Sequence, residues 1–392
     1  MKRYLLLLVI MIIASTYLKA ELNDDGVVVG PFIFKPHFWL VFEHTDNLFL
    51  QGKEGFHDNL WIVRPQFQLI YPFLESSVQL TYVPIWRDYE KYEIKHRFSH
   101  FFTLQSNILQ SSGLNIKISD RFIRGMMEVG EVDPQKELWY GTNRFNKNLF
   151  EANAGYDLSE RFTLNVGGYF NYVKFIDHDT PEFFFDYNTF MLNGSFGYKM
   201  SPLTTVYATY GFTANDAEQD FDTRDFKGHQ FLLGIQSDAT PRLKGGFQIG
   251  YERKNLNNLN MNANNFILSA DASYEISDAT RILLNASRGT FQSAYFVAAY
   301  YRATGLVLTL THHFTDKLSA SGGGLIQSND YQEIGNLTTR KDKIYGFHAE
   351  IGYIIHSLAV VHFNYKYDNR NSNFDQFSFK QNRLDFDVQL GW

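Results

Sequence analysis

The side chains most able to move protons or hold a metal near neutral pH are the histidines, and they are tested first. His312 and His313 are adjacent at the end of an alternating stretch. On a strand they point to opposite faces, and one imidazole per face beside a turn is a lining or turn-bonding group rather than a base. His96 and His100 have the four-residue spacing of a helical zinc pair, but Arg97 stands where that motif carries Glu. On a strand the same spacing separates them by roughly 13 Å, too far to share one ion. The run Asp216 to Asp225 carries carboxylates at alternate positions, as calcium loops do. Its sixth and twelfth positions are Phe221 and Lys227, where a calcium loop of the EF-hand kind needs Gly and Glu, so a solvated acidic loop is expected. There is no Gly-x-Ser-x-Gly sequence and no Cys, which removes thiol nucleophiles, Cys-ligated zinc, iron–sulfur clusters and disulfides together. The sequence therefore predicts no catalytic residue, no metal and no cofactor.

If these residues do no chemistry, the question becomes what positions them. The chain has 392 residues with 37 Phe, 24 Tyr and 5 Trp but only 9 Pro, too aromatic to be disordered. Met1-Lys2-Arg3, an apolar run from Tyr4 to Ala14 and Ala20 before Glu21 have the parts of a secretory signal peptide cleaved after Ala20. The apolar run falls well short of the roughly 20 residues of a membrane span. The organisation expected is a signal peptide over 1–20 and one domain over 21–392. Lys2, Arg3 and Lys19 leave with the signal, so 36 basic residues fall to 33 against 42 acidic ones. Nucleic acid, which calls for a basic face, is not an expected partner.

The remaining chain alternates with a period of two from end to end. Leu384, Phe386, Val388, Leu390 and Trp392 interleave with Arg383, Asp385, Asp387 and Gln389, and Leu243, Phe247, Ile249 and Tyr251 interleave with Arg242, Lys244, Gln248 and Glu252. Such segments predict eighteen strands, near 33–44, 59–71, 76–87, 94–106, 112–124, 146–157, 161–174, 186–200, 203–214, 226–237, 242–253, 263–276, 279–289, 300–314, 316–327, 342–355, 358–369 and 379–392. Short links such as Ser201-Pro202 and Ser277-Asp278 alternate with long ones such as 45–58, 125–145 and 328–341, while 88–93 is expected to be a short link on the long-loop side. Short turns at one end, long loops at the other and an even strand count are the layout of a transmembrane antiparallel up-and-down β-barrel of the bacterial outer membrane. A soluble sandwich or propeller also alternates, but no blade-length repeat is present.

On such a barrel His312 faces lipid and His313 the lumen. Trp61, Trp86 and Tyr251 fall at the outer rim, and Tyr71, Tyr198, Tyr274, Tyr353 and Trp392 at the inner rim, as two aromatic girdles. The alternating aromatic end Leu384, Phe386, Val388, Leu390 and Trp392 is expected to serve as an assembly signal, read by outer-membrane barrel assembly machinery as an unpaired edge. Outer-membrane lipid is the other expected partner.

Glu43-His44-Thr45-Asp46-Asn47-Leu48-Phe49-Leu50, followed by Asp58-Asn59-Leu60-Trp61-Ile62-Val63-Arg64-Pro65, resembles the putative beta-barrel porin 2 family, with weaker similarity through Asn285 to Thr290 and Leu308 to Ser319. The resemblance implies an outer-membrane channel, often linked to surface or secreted polysaccharide, and with it polysaccharide export components as partners.

A barrel of 16–18 strands encloses an aqueous channel. The residues expected to line it are Arg64, Gln66, Gln68, Lys117, Arg242, Lys244, Glu252, Asp271, Glu350, Lys366, Arg383, Asp385 and Asp387. Their mixed sign suits neutral polar solutes better than simple ions. Trp139, Tyr140, Phe184, Tyr295 and Phe296, with Tyr300 and Tyr301 beside them, are loop aromatics that can stack on sugar rings or pack the loops together. Loop 125–145 is the candidate to fold inward. The main reading is passage of saccharide or polysaccharide, and the alternative is general diffusion of small polar solutes. No plug domain is expected ahead of the first strand, which disfavours energised transport.

Overall fold

The fold is that of a computed structural model, which describes residues 26–52, 55–94, 98–109, 113–126, 144–176, 186–218, 224–259, 261–293, 298–333 and 339–391. The expected signal peptide, Trp392 and the whole of 127–143 lie outside them. Among the described residues the strands are β1 Val27–Val29, β2 Phe32–Thr45, β3 Asp58–Phe73, β4 Ser76–Tyr89, β5 Phe98–Leu109, β6 Leu114–Met126, β7 Arg144–Asp157, β8 Phe162–Phe175, β9 Tyr187–Ser201 and β10 Thr204–Ala217. They continue as β11 Phe226–Thr240, β12 Leu243–Leu256, β13 Met261–Ser277, β14 Thr280–Gln292, β15 Ala298–His313, β16 Leu318–Glu333, β17 Lys341–His356, β18 Ala359–Ser372 and β19 Phe379–Gly391.

Each of β2 to β19 pairs antiparallel with its neighbour in sequence. The ring closes where β19 pairs with β2, from Arg383 opposite Thr45 to Gly391 opposite His37. This is a closed antiparallel barrel of eighteen strands, as the periodicity predicts. The short β1 has no counterpart among the predicted strands. It pairs Val27 to Val29 with Phe34 to Phe32, on the edge of β2 that β19 leaves uncovered. At the meeting point Gly391 has φ +148, and a Cβ there lies 2.7 Å from both the His37 Cα and the Pro36 carbonyl oxygen. Only Gly lets the two backbones approach this closely.

The short turns are built by hydroxyl side chains that accept from the backbone just ahead of them. Thr240 Oγ1 accepts from the amides of Arg242 (3.2 Å) and Leu243 (2.9 Å), Thr315 Oγ1 from those of Lys317 (3.2 Å) and Leu318 (3.0 Å), and Ser201 Oγ from that of Leu203 (3.2 Å). On the opposite rim, Ile94, the first residue of the expected strand over 94–106, stands outside any strand, and the described part of β5 begins at Phe98. Ile94 is drawn out of the strand because it packs with Leu48, Leu60, Tyr89 and Met126 under the loops.

Alternation sorts the side chains. The exposed apolar groups, among them Phe231, Leu233 and Ile235 on β11 or Leu306, Leu308 and Leu310 on β15, occupy every second position and form the lipid face. Trp61 and Tyr251 on the outer rim, and Tyr71, Tyr198, Tyr274 and Tyr353 on the inner rim, are all exposed on it. His312 is on this face too, accepting or donating to Thr280 Oγ1 at 2.8 Å, with His313 opposite. Among the described residues there is no single core. The buried apolar clusters include Ile123 with Phe145, Val173 and Phe175; Tyr301 with Tyr331 and Phe377; and Leu50 with Ile344 and Phe379. All sit at the long-loop end.

Leu308→Arg, in the middle of the lipid face of β15, is expected to cost about 2–4 kcal/mol, against less than about 0.5 kcal/mol for Gln248→Arg on the inner face of β12. Urea unfolding of the vesicle-embedded protein, followed by Trp fluorescence, gives both numbers.

Candidate functional site

The inner wall follows from parity: whatever flanks a lipid-facing residue faces the lumen. By this rule Arg64, Gln66 and Gln68 on β3, Lys117 on β6, Lys244 and Glu252 on β12, Asp271 on β13, Glu350 on β17, Lys366 on β18, and Arg383, Asp385 and Asp387 on β19 all stand on the inner face. Arg242 is the exception. It lies in the turn before β12, where Pro241 and Arg242 complete the hairpin, and its guanidinium reaches the Ile276 carbonyl and Asp278, each at 3.5 Å. It belongs to the periplasmic rim, not to the pore wall.

The structure gathers the inner-face charges most densely at the closing seam. A recess of about 410 Å³ is lined there by Trp39, Glu43, Arg64, Arg87, His362 and Asn364 together with Arg383, Asp385 and Asp387. Asp387 accepts from Asn364 Nδ2 at 3.1 Å and lies 3.0 Å from His362 Nδ1. Arg383 Nε stands 3.7 Å from Asp385 and 3.9 Å from Glu43, so its guanidinium lies between the two carboxylates. The Arg64 guanidinium lies 4.7 Å above the Trp39 ring, which holds it flat against the wall, and Arg87 donates to Ser99 Oγ at 3.1 Å. Three cations and three carboxylates thus line one side of the lumen. Elsewhere on the wall Lys254 pairs with Glu252 (3.1 Å) and Lys366 with Asp368 (3.0 Å).

Trp39, Glu43, Arg87, His362 and Asn364 were not among the predicted lining residues. His362 and Asn364 sit in a visible alternation on β18, and parity with Arg383 finds them. Trp39 is hidden because β2 is apolar on both faces from Phe38 to Phe42, with Trp39 and Val41 inward and Phe38, Leu40 and Phe42 outward.

Access from the long-loop end is narrowed by segments that turn inward. After β2, Asp46 binds the Asn382 amide and side chain (2.7 and 2.6 Å), and Asn47 Nδ2 donates to the Lys380 carbonyl (2.8 Å). This places Leu50, with φ 52, against Ile344 and Phe379 on the inner side. Beside it, the turn before β19 packs Phe377 with Tyr301 and Tyr331. The fully buried Arg340 lies between Tyr331 and Phe377 (4.2 and 3.8 Å from the ring centres) and grips Asp342 through two hydrogen bonds of 3.0 and 2.5 Å. The loop predicted to fold inward, 125–145, lies largely outside the described residues, as do Trp139, Tyr140, Phe184, Tyr295 and Phe296. Tyr301 is described and is packed rather than displayed, with no exposed surface and its ring 5.2 Å from that of Tyr331. At the last strand Leu384 and Phe386 are exposed on the lipid face.

With that geometry in view the family assignment is direct: the model of the putative beta-barrel porin 2 family matches residues 22–391. The chain belongs to that family. It is a porin of the bacterial outer membrane, a channel and not an enzyme. Among solved structures it is similar to OpdK of Pseudomonas aeruginosa with vanillate, at 11% identity over 92% of this chain and 99% of that one, with a TM-score of 0.50. It is likewise similar to OccK2 (OpdF) of Pseudomonas aeruginosa in complex with glucuronate, at 12% identity over 91% and 98%, TM-score 0.50. At these identities the likeness is one of fold. No curated protein sequence matches the porin.

Removing Asp342 strands the buried Arg340 charge. Asp342→Ala is expected to cost about 3–5 kcal/mol in urea unfolding, and the double variant Arg340→Met/Asp342→Leu to recover most of that loss.

Proposed function

We propose that the porin admits small polar solutes by passive diffusion and selects them on the charged wall at its closing seam. The observation that carries this reading is the set Arg64, Arg87 and Arg383 opposed to Glu43, Asp385 and Asp387 along one recess. A solute bearing a carboxylate and hydroxyl groups finds donors for the first and acceptors for the second within that recess. The fold likeness supports the same class, since the two similar structures hold vanillate and glucuronate, both small carboxylated rings.

The competing reading, passage of polysaccharide, draws on the general association of such porins with polysaccharide systems and on loop aromatics outside the described residues. The inward turns at Leu50 and Phe377 favour the smaller cargo, because a polymer must thread the same mouth that these segments narrow.

The test is planar-bilayer recording with liposome swelling. Open conductance, uptake of glucuronate and glucose, and no current block by long oligosaccharides are the expected results. Oligosaccharide block at micromolar concentration with no small-solute uptake overturns the proposal in favour of polysaccharide. Within the same assay, Arg64→Glu with Arg87→Glu removes two cations and adds two carboxylates on one wall. The reversal potential in a salt gradient is expected to move toward cation preference, with slower glucuronate uptake.

A further inference from the structure

Away from the lumen, the lipid face carries one polar arrangement twice. On four consecutive strands, β4 to β7, stand Tyr82, His100, Arg124 and Asn146. His100 pairs in register with Arg124, and Arg124 with Asn146. Six strands further on, β10 to β13 carry Tyr210, His229, Arg253 and Asn264, with His229 opposite Arg253 and Arg253 opposite Asn264. The details repeat as well. The Tyr hydroxyl meets His Nδ1 at 2.9 Å in the first row and 2.7 Å in the second, with ring centres 6.1 Å apart in both. Each Tyr lies opposite a Phe two residues beyond the His, Phe102 and Phe231.

Each row has a further cation. Lys174 on β8 lies opposite Asn146, and Lys227 is two residues nearer the loops than His229 on β11. Arg124, Lys174, Lys227 and Arg253 are all exposed, and their inward neighbours Ile123 and Val173 are buried, which fixes the cations on the outside. Among the described residues Arg124, Lys174 and Lys227 have no ion-pair or hydrogen-bond partner, and Arg253 bonds only Asn255 (3.2 Å). The nearest carboxylates on this face are Asp186, in register beside Lys174 and accepting the Phe175 amide at 2.7 Å; Asp225, two residues before Lys227 and accepting the Ala217 amide at 2.7 Å; Asp216 near the end of β10; and Asp120, four residues below Arg124 and holding Asn148 at 2.8 Å.

Charge on a lipid face is tolerated only near the interface. Both rows stand on the loop side of apolar residues, Phe102 and Leu104 on β5 and Phe231, Leu233 and Ile235 on β11, so the cations are at headgroup height. A Tyr that engages Nδ1 fixes the imidazole and leaves Nε2 outward beside a guanidinium, which is geometry for a multiply charged oxyanion. We infer that the two rows are phosphate-binding sites for an outer-leaflet lipid with a phosphorylated sugar headgroup. The acyl chains of such a lipid lie against the Phe and Leu below while its phosphates meet the row.

The porin in nanodiscs containing diphosphoryl lipid A, released into mild detergent and weighed by native mass spectrometry, tests this. The wild type is expected to retain lipid A at two sites. Arg124→Gln/Lys174→Gln is expected to lose one and Lys227→Gln/Arg253→Gln the other, each about tenfold weaker, with dephosphorylated lipid A not retained by any form. Heat-modifiable gel mobility and unchanged conductance certify that the variants are folded. Equal retention of phosphorylated and dephosphorylated lipid, or undiminished retention in the combined fourfold variant, overturns the inference. So does a wild-type dimer that the variants abolish without any change in lipid retention, which makes the rows an interface between copies.

Discussion

Everything in this molecule hangs on the requirement that no backbone amide or carbonyl be left unpaired in hydrocarbon. An open sheet of eighteen strands fails it at two edges, and the pairing of β19 with β2 removes both. Once the ring is closed the sequence has no freedom in where side chains go. Every odd step faces lipid or lumen, and the same backbone constraint that stabilises the wall sorts the chemistry. The concentration of charge at the seam follows, because the two strands that close the ring bring Glu43 and Arg383, 340 positions apart in the chain, to the same wall.

That sorting is why so much was legible without coordinates. A period of two is a local signal, and the central stretches of β12, β17, β18 and β19 announce it. The strand count, the His312 and His313 faces and the inner-face position of most lining residues all follow from it. What was not legible depends on contacts that parity does not encode. β1 is three Val residues with no alternation to read. Ile94 looks like the first residue of a strand and is claimed by a cluster of Leu48, Leu60, Tyr89 and Met126 from other segments. Arg242 keeps the rhythm of β12 but falls in its turn, since alternation does not state where a strand ends. Trp39 is masked by apolar neighbours on both sides.

The site divides in the same manner. Which charges face inward is a matter of register. Which of them meet one another is a matter of distance: Lys254 and Glu252 neutralise one another across 3.1 Å, and Arg383 Nε stands between Asp385 and Glu43 at 3.7 and 3.9 Å. The narrowing of the mouth is further from the sequence still, because it rests on Asn47 reaching a carbonyl 333 residues away and on an arginine held between two rings.

The short β1 gives the seam a property of its own. It and β19 lie end to end along one edge of β2, covering Phe32 to Phe34 and His37 to Thr45, so that edge is templated by two pieces, like a nicked strand on a continuous complement. The nick falls at Lys35 and Pro36, and proline has no amide to leave unpaired there. Because among the described residues the two pieces pair only with β2 at this seam, three register pairs can be released at the periplasmic lip without disturbing the nine above them, which seal the wall against lipid.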